Sequence, residues 1–591
     1  MSKKIGWLVL SCVMVLALVL AGCPGPDTET PTDTETPTDT ATPTDTETPT
    51  DTETPTGPEY GGTLTLAMSA PFSGLDECFT PPWAVMFAYP VTEELIIGDW
   101  AKGPAGTNET DFTMGGWPRE DLRFPCLCES YETTGADVIW TVRQGVYWQN
   151  KAPVNGREMT ADDVAYSIQR IKDCPQAYVG GAVGGLISSI EVDGWNVIAH
   201  LVTPAVTGVV LQLVSDMLRI VPHEVIDTYG DMRDWRNLVG TGPFILTDFV
   251  PDSSVTYERN PNYWREDPLI PGNQLPYISD LKALFLLDPS VSMTAFRTKA
   301  IDNLNYLGWE DAAVLMSEDP SIQYGESWFT DQGLIGWRLD KPELPFQDIN
   351  VRRAMMMAID FDTILEELFG GFAALRGYPV GPWPDFDEAR VAQADLPAET
   401  QELWSYNPTK AKQLLVDAGL ANGFDTTMVT YSNHAALDAV LVSYWAAIDV
   451  DVELDVQEYG VWISMWNARD YPEMMHAHHY APSGASLLAT KSLELGGTQN
   501  FSHVVDPISD DAYERIREEP DYSADMAIMK EIIPHLLEQV YYIPMPAGAT
   551  FALWWPWVKG YHGELSPGFL NFFGSMATYV WIDQDLKATM N

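Results

Sequence analysis

Residues 27–56 are five consecutive hexapeptides, four reading DTETPT and the third DTATPT. They carry nine carboxylates and no large apolar side chain. Such a stretch has nothing to bury against the entropy of being ordered. Proline in every repeat and like-charge repulsion keep it extended. The repeat therefore cuts the 591-residue chain into a leader, a tether and a long body, and any fold starts after it. At ~3 Å per residue the chain from Cys23 to Pro58 reaches on the order of 100 Å. Lifting the body clear of a surface is one use, and a plain linker of no particular reach is the other. The threonines are possible O-glycan carriers, on which composition is silent.

The leader sets the compartment. Lys3 and Lys4 precede an apolar run from Ile5 to Val19, and Leu20-Ala21-Gly22-Cys23 follows. Basic, apolar and small segments in that order read as a secretory signal peptide over 1–22. The tetrapeptide resembles the bacterial lipobox, in which the cysteine becomes a lipid-bearing N-terminus. Cys23 would then anchor the protein outside the cytoplasm through its acyl chains. An uncleaved anchor helix is the alternative. With 33 Lys+Arg against 84 Asp+Glu the net charge is −51. That excludes nucleic acid as partner and charge-driven docking on anionic lipid.

Cys12 leaves with the leader, so Cys78, Cys126, Cys128 and Cys174 remain for an oxidising compartment. Three pairings are open. A Cys126–Cys128 ring would be small and strained, so two bridges that reach Cys78 and Cys174 are expected. A metal site is the weaker alternative, because CxC has no second pair at zinc spacing.

The body reads as mixed α/β. Gly61-Gly62 opens an alternating strand over Thr63–Ala67, and Val138–Val142 and Asn196–Leu201 are further strands. Thr160 with Asp163 forms a variant capping box ahead of an apolar stripe of Val164, Ile168 and Ile171. Val351, Ala354, Met355, Ala358 and Ile359 make a second stripe. Asp360 caps the next helix, which Gly370-Gly371 stop. Asn407-Pro408 opens another, with Ala411, Leu414, Leu415 and Ala418 inward and Gly419 at its end. Strands and helices alternating over this length indicate α/β layers in several domains. The chain has no GxGxxG, no GxxxxGK[ST] and no GxSxG, and His223-Glu224 is not part of HExxH. A carboxylate dyad of a surface hydrolase stays open on acid content alone.

The segments Pro125-Cys-Leu-Cys-Glu-Ser-Tyr-Glu132, Trp140-Thr-Val-Arg-Gln-Gly-Val-Tyr-Trp148 and Met159-Thr-Ala-Asp-Asp-Val-Ala-Tyr-Ser167 resemble the family 5 extracellular solute-binding proteins. These are the oligopeptide-, dipeptide- and nickel-type receptors of ABC importers. Gly240-Thr-Gly-Pro-Phe244, Glu258-Arg-Asn-Pro-Asn-Tyr-Trp264, Pro345–Ala354 with Ala358-Ile-Asp360, the Asn407–Gly419 helix and Trp557-Val-Lys-Gly-Tyr561 continue the likeness in order. It implies a two-lobed periplasmic-binding-protein-like α/β fold that closes on a small solute by a hinge. Lobe one would comprise 59–98, 205–335 and 541–591, an inserted domain 99–204, and lobe two 336–540. Hinge crossings are expected near 335–340 and 540–546. The implied partner is an ABC permease with a separate ATPase. No cofactor, metal or catalytic residue is expected, and the receptor should act as a monomer.

The resemblance also points to the pocket. A family Asp that pairs with a peptide's α-amine aligns at or near Ala481, and no acid lies between Met474 and Thr490. That anchor is missing or moved, and a buried ammonium without a partner is costly. His476, His478 and Tyr480 would share a strand face, with His479 beside them, as a ligand wall or a metal or haem contact. Tyr459, Trp462 and Trp466 recur at helical spacing as a stacking platform or as core. Asn305, Tyr306 and Trp309 follow Ile301-Asp302, where the family chain enters the pocket. Asp76, Glu77 and Trp83 are further candidates. Ligand identity stays divided between an oligopeptide, the family's commonest ligand class, and an oligosaccharide, which 21 tryptophans would suit. A purely structural surface protein is the remaining alternative.

Overall fold

The computed structural model describes residues 57–590 except 70–71, 73, 113–117, 329–330, 376–377, 381–385, 481–493, 495–496, 498, 520 and 569–571. The leader, Cys23, the tether and Ala481 lie outside the described residues, as do the side chains of Trp83, His479 and Tyr480.

Two mixed sheets carry the body. In the first, the strands run in the order Gln323–Trp328, Ala547–Trp554, Asn303–Leu307, Thr63–Met68, Asp280–Phe285, Ser254–Arg259 and Phe244–Val250. Thr63–Met68 is parallel to Asp280–Phe285 along its whole length, and the outer pairs are antiparallel hairpins. In the second, the order is Val450–Gln457, Phe424–Tyr431, Met474–Tyr480, Asp331–Trp337 and Tyr542–Pro544. A separate antiparallel sheet of four strands runs Cys128–Thr133, Asp137–Val142, Asn196–Leu201 and Ile187–Asp193.

Alternation explains why the second sheet is a middle layer. Leu334, Val429, Met475 and Ala477 enter one core. Their neighbours Ile335, Met428 and Met474 enter the core on the other face. Trp328 ends a strand of the first sheet and Asp331 begins one of the second, and Pro544 and Ala547 stand in the reverse relation. The first change of sheet precedes the expected 335–340, because Leu334, Ile335 and Trp337 are already sealed inside the second sheet. A third link is local: the short strand Ala373–Ala374 pairs with Ala547 and Gly548 of the first sheet.

The helices follow their local signals. Ala161–Lys172 starts at the Thr160/Asp163 capping box and buries Val164, Ile168 and Ile171. Asn407 accepts from the Lys410 N–H at 3.0 Å to open Pro408–Asp417, and Gly419 leaves it in the left-handed region.

The cysteine pairing is corrected. Cys78 is joined to Cys174, 96 residues away, and Cys126 and Cys128 are free and buried. Each thiol of the CxC pair already has a core partner. Arg265 Nη2 donates to Cys126 Sγ at 2.7 Å, and Cys128 donates to the Leu95 carbonyl at 3.1 Å. Burial pushes both thiols up, Cys128 to about 12, so neither is a ready thiolate.

Candidate functional site

An aromatic and imidazole wall stands at one end of the second sheet, built from three adjacent elements. Strand Phe424–Tyr431 ends at Tyr431 and turns through His434 into helix Ala435–Ala446. Strand Met474–Tyr480 runs parallel beside it, with Met475 level with Val429. The two-residue period puts His476 and His478 on the same face. Helix Tyr459–Ala468, capped by Glu458 on the Gly460 N–H, brings Tyr459, Trp462 and Trp466 along one side.

These side chains converge. The His434 ring stacks on His476 with centroids 3.9 Å apart and meets His478 edge-on at 5.5 Å. Tyr431 lies 4.6 Å from Trp462, 5.5 Å from Tyr459 and 5.7 Å from His478. Trp462 is edge-on to His478 at 4.7 Å, stacks on Trp466 at 6.1 Å, and donates its indole N–H to the His476 carbonyl at 3.1 Å. Such offset and edge contacts fix ring orientations as well as filling space.

Burial grades the wall. Tyr459 is 52% exposed, Trp466 and His478 are half-buried, and Trp462 and His476 are sealed beneath them. His476 Nδ1 meets Asp438 Oδ1 at 2.7 Å, and Asp438 Oδ2 accepts the Thr430 hydroxyl at 2.5 Å. Asp438 is fully buried, so it holds His476 in place and is closed to a ligand. His476 Nε2 has no hydrogen-bond partner among the described residues. It occupies the space that a Cβ on Gly333 of the neighbouring strand would need, only 2.3 Å away. Burial, with His476 and His478 alongside, pushes the His434 imidazole far below its ordinary range, so it is neutral at pH 7.

Sequence reasoning missed Tyr431, His434 and Asp438. The signal was there: Asp438 falls four residues after His434 inside the apolar run Ala435–Ala446, and an acid in that position needs a buried partner.

Asn305, Tyr306 and Trp309 form a second group on the first sheet. A register irregularity between Leu304 and Leu307 coincides with a left-handed backbone at Tyr306, φ +62°. Left-handed backbone is unusual for an aromatic residue and clusters at functional positions. Tyr306 is 39% exposed. Asn305 Oδ1 faces the Tyr561 hydroxyl at 3.5 Å. Trp309 donates its indole N–H to the Leu368 carbonyl at 3.2 Å and stacks near Phe372. Asp76 and Glu77 lie apart from both groups. Asp76 is fully buried and clamped by Arg170 at 2.7 and 2.8 Å, beside the Cys78–Cys174 bridge. The cluster Asp163, His223 and Glu224 has metal-like spacing, but Arg157 already engages both carboxylates.

Residues 124–489 match the family model for bacterial extracellular solute-binding proteins, family 5, middle region. The chain belongs to this family. Among curated relatives, it is 26% identical to Di/tripeptide-binding protein 2 of Pseudomonas aeruginosa, over 75% of this chain and 84% of the relative. It is 25% identical to the Dipeptide-binding protein of Escherichia coli, over 57% of this chain and 64% of the relative. It is 26% identical to Heme-binding protein A of Haemophilus influenzae, over 55% and 60%. Among solved structures, the fold matches the periplasmic binding protein DppA from Helicobacter pylori in complex with the peptide STSA. The TM-score is 0.66 at 20% identity, covering 89% of this chain and 99% of that one. The two sheets are thus the two lobes of a family 5 binding protein, and the chain is a solute-binding protein rather than an enzyme. Among the described residues no helix is long and apolar enough to cross a membrane.

Proposed function

We propose that this chain is the lipid-anchored, extracytoplasmic capture subunit of an ABC importer for short peptides. Cys23 carries the lipid, 23–58 is the tether, and the peptide is handed to a membrane permease after closure of lobe one (59–98, 205–335, 541–591) on lobe two (336–540), with 99–204 inserted. The observation that carries the reading is the family match across 124–489, together with relatives named for di- and tripeptides. An oligosaccharide is not favoured, because the relatives named above are named for peptides or haem.

The solute meets Tyr459, Trp466 and His478 from lobe two and Asn305, Tyr306 and Trp309 from lobe one. Trp462 and His476 support the wall from below, and His479 and Tyr480, next along the same strand, remain candidates. The wall offers ring faces and the neutral imidazole of His434, and Asp438 is spent on His476 and Thr430. The bound peptide is therefore held by ring stacking and main-chain hydrogen bonds, and no carboxylate from this wall grips its α-amine.

The test is a thermal shift on chain freed of ligand by unfolding and refolding, against a mixed peptide pool and a mixed sugar pool. A ligand at 100 times its Kd adds ~2.7 kcal/mol. A shift with peptides, retained when their N-termini are acetylated, is expected. A shift with sugars alone overturns the peptide reading, and loss on acetylation overturns the account of the amine. Haem is run in parallel, since one relative is named for it, and a new Soret band that vanishes on His478→Ala would assign it instead.

A further inference from the structure

At the opposite end of lobe two lies a concavity of about 530 Å³. Strands Asp331–Trp337 and Met474–Tyr480 are antiparallel, with Asp331 facing Tyr480 and Trp337 facing Met474. The histidine wall takes the Tyr480 half. The concavity begins beyond Trp337, at Leu339 and Asp340, and is completed by Arg352, Arg469, His503 and Tyr541.

Its charges are unusual for a chain of net −51. Arg352 is only 5% exposed and donates solely to main-chain carbonyls, those of Phe346, Gln347 and Gln539. Loss of hydration lowers it to about 10. Asp348 acts on it from a distance but is spent capping a helix at the Asn350 N–H. Arg469 lines the same space. Neither guanidinium has a carboxylate at ion-pairing distance among the described residues. The acid on the wall, Asp340, is engaged by Arg338 at 2.7 and 2.8 Å, which with His503 holds it at about 2. Asp506, behind Tyr541, is likewise taken by His535 and Ser509.

The backbone adds an independent observation. Arg469 ends its helix at φ +54°, the left-handed position where glycine is the usual residue, and His503 also stands at φ +54°. His503 Nε2 donates to the Arg469 carbonyl at 3.0 Å, so the two unusual turns brace each other on one wall.

We propose that this concavity is an anion site for a compact organic solute bearing two or more carboxylate or phosphate groups, gripped by the Arg469 fork, with Arg352, whose N–H groups are largely taken by backbone carbonyls, supplying positive charge beside it. It is separate from the peptide cleft and independent of what fills that cleft. The protein's overall negative field opposes anions at long range, but at 0.15 M salt the Debye length is about 8 Å, so the groups that line the concavity decide. Arginine suits the task because its fork pairs with carboxylate and phosphate oxygens two at a time.

The test is calorimetric titration of the full chain with citrate in 0.15 M NaCl, with and without inorganic phosphate. One saturable site is expected. Arg469→Gln should weaken citrate about fivefold or more, Arg469→Lys by less, and Arg353→Gln, whose arginine pairs with Glu538 outside the concavity, should leave it unchanged. Competition by phosphate would show that any oxyanion is gripped, and its absence would show that carboxylates are preferred. Absence of saturation up to about 20 mM citrate, or equal affinity in wild type and Arg469→Gln, overturns the proposal.

Discussion

Replacing Glu77 with Gln should stabilise the protein above neutral pH and leave it unchanged in acid. Glu77 is only 7% exposed, and burial raises its carboxyl from 4.5 to about 7. Its Oε2 accepts the Arg219 main-chain N–H at 3.2 Å, and its Oε1 has no hydrogen-bond partner among the described residues. The Arg219 guanidinium is already committed to Glu94 and lies over the Tyr89 ring, so it compensates Glu77 only in part. Below pH 4.5 the carboxyl is protonated in both folded and unfolded chains and costs nothing. Between 4.5 and 7 the unfolded chain has released the proton and the folded chain has not, so stability falls as pH rises. At about 1.4 kcal/mol per pH unit, the interval amounts to about 3 kcal/mol, fully present above pH 7. Gln keeps an acceptor for Arg219 N–H and carries no charge. The stability difference between Glu77→Gln and wild type should therefore be near zero at pH 4.5, grow through pH 6, and level off near pH 7. Urea unfolding at pH 4.5, 6, 7 and 8 reads it directly. Parallel pH dependence in the two proteins would refute the reasoning. Glu564, buried and raised to about 7 in the same way, gives an independent repeat with Glu564→Gln.

Three further outcomes separate support from contact in the wall and check the cysteines. Trp462→Ala, which empties a fully buried site, should cost about 3–5 kcal/mol in unfolding experiments, whereas Tyr459→Ala, half exposed, should cost under about 1 kcal/mol yet weaken peptide binding two- to tenfold by calorimetry. Asp438→Asn should cost about 3 kcal/mol and broaden or shift the His476 and His434 ring signals in NMR, because the buried partner of His476 Nδ1 loses its charge. Non-reducing peptide mapping should recover Cys78 bonded to Cys174, with Cys126 and Cys128 alkylated only after unfolding, and Cys78→Ser should cost about 4.7 kcal/mol for a loop of this length.

Much of the fold was legible because its signals are local. A capping box at Thr160, an Asn-Pro opening at Asn407 and glycines at 61–62 and 419 each act within a few residues. The order of family motifs pointed to the family and its two-lobed fold class. The cysteine pairing was not legible, because it turns on what else lies in the core. Arg265 and the Leu95 carbonyl occupy Cys126 and Cys128, and both come from distant segments.

The wall shows where a pattern stops short of a site. Period two placed His476 and His478 on one face, and helical spacing aligned Tyr459, Trp462 and Trp466, yet neither period tells which rings reach solvent. That is decided by a third element, the turn at Tyr431–His434, which lies over the inner histidine and leaves His478 at the rim. The helix that follows this turn brings in Asp438, a buried carboxylate beside the wall. In the fold it is consumed by His476 and Thr430, and Gly333 leaves room for the imidazole it orients. An acid near a pocket is thus an anchor only if no buried base claims it first. Here one does, so in the proposed cleft recognition of the solute is assigned to the rings.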